Sequence, residues 1–104
     1  MQKRTIIKSI KKIINEFGSF DVNEIGAETS LCVGELGNYV GLAEYFKPTS
    51  VQVNVYMPCG FSSDPEDEYD MNYEDLDKDV LKEILMLAEM WEADQLKTEK
   101  RISN

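Results

Sequence analysis

The sequence predicts an α+β domain: an N-terminal helix, an antiparallel β-meander of three or four strands, and a long C-terminal helix, with both helices on one sheet face. Three observations carry this. Isoleucines recur at helical spacing over residues 2–17. Residues 19–60 alternate apolar and polar positions between turns marked by glycine and proline. From residue 75 onward an apolar stripe returns at helical spacing. At 104 residues the chain makes one domain with one core.

The first helix has Ile6, Ile10, Ile13, Ile14 and Phe17 on one face, with Ile7 at its margin. Arg4, Lys8, Lys11, Lys12 and Asn15 occupy the other. Gly18 is a natural stop, because glycine accepts the positive φ that closes a helix. The isoleucine face belongs against a sheet, since each buried side chain of this size is worth ~1.5–3 kcal/mol. Its lysines then read as a solvated face.

Phe20 and Val22, alternating with Asp21 and Asn23, make a first short strand. Ser30 to Leu36 and Tyr39 to Phe46 flank Gly37-Asn38, a two-residue hairpin signal. Lys47-Pro48-Thr49-Ser50 is a second turn. Val51 to Met57 then alternates strictly, which predicts a buried Val/Met face and a wetter Gln/Asn/Tyr face. A helix-turn-helix is the competing parse of residues 20–46. It has no lysine or arginine between Ile13 and Phe46 to contact phosphates, and it would hold four glycines. Residues 61–74 read as a polar, acidic loop. The last helix carries Leu76, Val80, Leu81, Ile84, Leu85, Leu87, Ala88 and Trp91 on its apolar stripe. Acids crowd its start and bases its end, matching the helix dipole. Residues 101–104 are expected to fray.

Charge is unevenly distributed. Residues 1–18 hold five bases and one acid, residues 19–60 one base and five acids, and residues 61–104 five bases and fourteen acids. The sum is the net −9 of the whole chain, which contains no histidine. Such a balance argues against nucleic acid and anionic membranes as direct partners and favours a basic protein partner. Isoleucines spaced by lysines do not make a signal peptide, and no apolar run approaches the ~20 residues of a membrane span. The chain is therefore expected in the cytoplasm, with Cys32 and Cys59 as free thiols. Cys32, on a strand, reads as a small core residue.

The motifs for chemistry are sparse. Residues 64–75 resemble a calcium loop in composition, but Tyr69 stands where glycine belongs and Asp75 where glutamate belongs, and no helix precedes them. Two cysteines without histidine cannot fill a four-ligand zinc site unless carboxylates or a second chain help. Cys59 has no neighbouring base to make it a nucleophile. Gly34-Glu35-Leu36-Gly37 lacks the spacing of a phosphate loop. Glu35 and Glu44, on adjacent strands, are the one carboxylate pair considered for hydrolysis, and the wet face of a sheet explains them more simply. No catalytic, cofactor-binding or metal-binding residue is expected, and the protein is not expected to be an enzyme.

What remains is interaction chemistry. Glu66, Asp67, Glu68 and Asp70 are the candidate contacts for a basic partner. Met86 and Met90 sit one turn apart off the main stripe. With Trp91 they form a candidate partner or homodimer surface. The leading expectation is a non-enzymatic interaction module, possible as a homodimer. A nucleic-acid mimic that blocks a DNA-binding protein is the alternative, and a small carboxylate-based enzyme the second alternative.

The stretches GSFDVNEIGAETS, ELGNYV, SVQVNVYMP, YEDLDKDVLKEILMLAE and DQLKTEKRISN together resemble small acidic proteins of Bacteroides-type gut bacteria, of a kind found with mobile elements and of unknown function. The resemblance implies a bacterial cytoplasmic α+β protein. It implies no activity and no functional residue.

Overall fold

The computed structural model describes residues 1–26, 31–57 and 64–103. In chain order its elements are α1 (Lys3–Phe17), β1 (Phe20–Asp21), β2 (Leu31–Leu36), β3 (Tyr39–Phe46), β4 (Ser50–Tyr56), β5 (Asp67–Asn72), a 3-10 turn (Tyr73–Asp75) and α2 (Lys78–Ser103). The α+β architecture matches the expectation, with five strands instead of three or four. Expectations that concern Cys59 and the loop around it fall outside the described residues.

The isoleucine spacing of α1 works as predicted. Ile6, Ile7, Ile10, Ile13 and Ile14 are buried. Gly18 closes the helix at φ +97°, its N–H donating to the Ile14 carbonyl at 2.8 Å. Lys11 reaches Glu74 at 3.1 Å, and Lys3 donates to the Glu74 carbonyl at 2.8 Å, so part of the basic face is held by the 3-10 turn.

The sheet is antiparallel. β3 is central, with β4 on one side and β1 and β2 end to end on the other; β5 pairs with β4 at the edge. The β2–β3 hairpin turns at Gly37, φ +61°, and Leu36 faces Tyr39 across it. Among the described residues only glycines have positive φ. Positive φ at the first turn position alone is the type II′ pattern. A bulge between Ala43 and Tyr45 shifts the register of β3. It lets Ala43 and Phe46, three residues apart, both face the core, where strict alternation would separate them.

The helices and one sheet face enclose a single core. Phe20, Leu31, Ala43, Phe46, Val51 and Val53 from the sheet meet the α1 isoleucines and Leu81, Ile84, Leu87 and Ala88 of α2. Trp91 fastens the corner: its ring stacks on Phe20 at 5.5 Å, and its indole N–H donates to the Gly18 carbonyl at 3.1 Å.

Three expectations need correction. The acidic loop of 61–74 contains β5: Ser50 to Val55 pair with Asn72 to Asp67. Tyr69, Met71 and Tyr73 alternate with Glu68, Asp70 and Asn72, a period-two pattern masked by the density of acids. Tyr73 is fully buried and donates its hydroxyl to the Lys47 carbonyl at 2.7 Å. Second, Cys32 is an exposed free thiol, not a core residue, because it pairs with Leu42 on the face turned away from the helices. Third, Met57 is 47% exposed. The helices cover Val51 and Val53 completely, only partly reach Val55, and stop short of Met57.

Candidate functional site

The end of the sheet beyond the helices forms an aromatic groove with an acidic rim. Register places its residues. Val55 pairs with Gly41 on β3 and with Asp67 on β5, and Val53 pairs with Tyr69. Tyr39, two residues before Gly41, takes the same face. Tyr39 and Tyr69 are 41% and 44% exposed. Together with Val55, Glu66 and Asp67 they line a groove of ≈ 510 Å³. That size lies within the ~300–1,000 Å³ of small-ligand clefts.

Gly41 lies beneath Tyr69. A methyl group there would stand 3.0 Å from Val53 Cγ1 and 3.3 Å from the Tyr69 hydroxyl. The missing side chain lets Tyr69 lie across the sheet. The Glu66 N–H donates to the Val55 carbonyl at 2.7 Å and anchors the rim where β5 begins. Asp67 accepts the Glu68 N–H at 2.8 Å. The ion pairs Lys11–Glu74 and Lys47–Asp70 engage neither Glu66 nor Asp67.

Strand alternation divides the four predicted acidic contacts. Asp67 lies on the groove side, with Glu66 at the rim. Glu68 and Asp70 face the other way, where Gln52 donates to Glu68 at 3.1 Å and Lys47 pairs with Asp70 at 2.8 Å. The same alternation disperses the ligands of a calcium loop, and no three metal-ligating side chains converge among the described residues. All four acidic residues are exposed, three of them on the edge strand β5 and Glu66 just before it.

The sheet face away from the helices carries Leu42, Tyr45, Gln52, Asn54 and Tyr56, all half-buried. Tyr56 donates a short hydrogen bond to Glu44. Desolvation, reinforced by that carboxylate, pushes the Tyr56 hydroxyl up to about 12. The Glu35 backbone pairs with Val40, four residues along β3 from Glu44.

On α2, Met86 is 60% and Met90 45% exposed, one turn apart on the surface turned from the core. Trp91, the third predicted contact there, is committed to Phe20 and Gly18. Tyr39 and Tyr69 are the groove residues that sequence reasoning missed. Tyr69 was legible in the period-two pattern of residues 68–73. Tyr39 carried no signal, because its exposure depends on where the helices end.

No protein-family model, no curated protein and no solved structure matches the chain. No helix among the described residues is long and apolar enough to cross a membrane.

Proposed function

We propose that the protein is a non-enzymatic interaction module whose acidic β5 edge receives a basic protein partner. One observation carries the proposal: Glu66, Asp67, Glu68 and Asp70 are all exposed on, or just before, an edge strand whose outer side no other strand covers among the described residues. An edge strand offers unpaired backbone groups, and its charges repel other acidic edges while attracting bases. The division of these carboxylates between two faces weighs against a nucleic-acid mimic, which needs its charges in one stripe.

The test is titration of the whole chain with a deca-lysine peptide, followed by backbone NMR. Binding should map to β5 and weaken steeply as salt rises from about 50 to 500 mM, as the Debye length falls to a few ångströms. No binding at 50 mM salt, or binding centred on α2, overturns the proposal.

A second reading rests on Met86 and Met90. Two large apolar side chains facing outward one turn apart on a long helix suit self-association. It is compatible with the first, because the two surfaces belong to different elements.

A further inference from the structure

We infer that the groove between Tyr39 and Tyr69 is a pocket for a single lysine or arginine side chain of the basic partner. The inference rests on the reading of β5 as a docking edge and names the contact that would give it selectivity.

The chemistry of the lining selects the occupant. Tyr39 and Tyr69 present exposed aromatic rings beside Val55, and Glu66 and Asp67 stand at the rim. An aliphatic stem packs on Val55 and the ring faces, while its cationic head meets both the tyrosine π-systems and the carboxylates. A neutral apolar side chain would use the rings but leave the carboxylates without a counter-charge. An acidic side chain would be repelled. A bare metal ion would need at least one more converging ligand than the groove supplies among the described residues. Gly41 leaves room for the Tyr69 hydroxyl, which holds that ring at the side of the groove.

Two other hollows fit less well. The hollow of ≈ 330 Å³ by α1 is lined by Lys3, Arg4, Ile7 and Glu74, and Lys3 donates to the Glu74 backbone there. The hollow of ≈ 140 Å³ on the opposite sheet face is lined by Lys47, Gln52, Glu68, Tyr69 and Asp70. Lys47 and Gln52 already bond two of its carboxylates.

The experiment compares three Gly/Ser heptapeptides, with central lysine, norleucine or glutamate, titrated into the labelled full chain beside deca-lysine. The lysine peptide should shift the Gly41, Val55 and Tyr69 amides and the Tyr39 and Tyr69 ring protons. Norleucine should bind at least fivefold more weakly, and glutamate should not bind. Tyr69→Ala should weaken the lysine peptide about fivefold, equivalent to ~1 kcal/mol. Tyr69→Phe, which keeps the ring, should retain the affinity. Equal binding of lysine and norleucine overturns the cation assignment. Shifts confined to Glu68 and Asp70 overturn the groove and leave the acidic edge standing, as does binding of deca-lysine alone. Failure of deca-lysine as well overturns both readings.

Discussion

At Gly37 the surroundings are open, so the constraint is purely conformational: φ is +61° and no neighbour lies within 4 Å of an added Cβ. Gly37→Val should cost ~1 kcal/mol or more, because a β-branched residue resists that φ. Gly37→Asn should cost less, since asparagine tolerates positive φ. Equal melting temperatures for the wild type and the valine variant would contradict the hairpin. Tyr73 is the opposite case, a side chain fixed by its surroundings. Its hydroxyl serves the Lys47 carbonyl, and burial raises its pKa above the ordinary tyrosine value. Tyr73→Phe should lose ~1 kcal/mol at neutral pH with the hydrogen bond. The pH effect has a definite sign. Tyr56, raised from 10.0 to about 12, and Tyr73, raised by burial, keep their protons where unfolded tyrosines lose them. Their contribution is therefore complete below pH 10 and is lost as pH rises toward 12. In Tyr73→Phe the fall of melting temperature across that window should be shallower than in the wild type.

At the level of elements, α1 and β5 show how local pattern and context share control. The five isoleucines of α1 dictate both the helix and its buried face, and the structure follows them. β5 has the same kind of periodicity, yet its acids made it read as a loop. Pairing with β4 decides the matter by satisfying one side of its backbone and burying Tyr73 just beyond it. The bulge in β3 is a purely tertiary device: it resets the phase so that both Ala43 and Phe46 enter the core. On α2, Met86 and Met90 project outward, whereas Trp91 is held by Phe20 and Gly18. If α2 mediates self-association, light scattering at micromolar concentration should report a dimer. Met86→Glu combined with Met90→Glu should then give a folded monomer with little change in melting temperature, because both positions face solvent in the single chain. A wild type that is monomeric throughout would end the dimer reading.

Across the whole molecule, charge and coverage set the functional geometry. Fourteen of the acids fall in residues 61–104, while the bases of the first eighteen residues lie on α1. This field should act mainly on encounter rates. Changing Glu66, Asp67, Glu68 and Asp70 together to their amides should slow association with a basic partner more than it speeds dissociation, as measured by stopped-flow or surface-binding kinetics. An unchanged association rate would leave the four carboxylates a role in solubility alone. The sequence by itself determined the α+β class, the two helices, the Gly37 hairpin and the acidic character of residues 64–75. Each depends on local periodicity, turn chemistry or composition, which the chain carries without reference to its neighbours. Tertiary pairing is what sets Asp67, Glu68 and Asp70 on a fifth strand, leaves Cys32 and Met57 exposed, and lets Tyr39 and Tyr69 border an open groove. These outcomes depend on strand order and on how far two helices reach across a sheet. A helix covers only the stretch it crosses, and the residues just past that boundary alternate like core residues yet remain accessible to a partner.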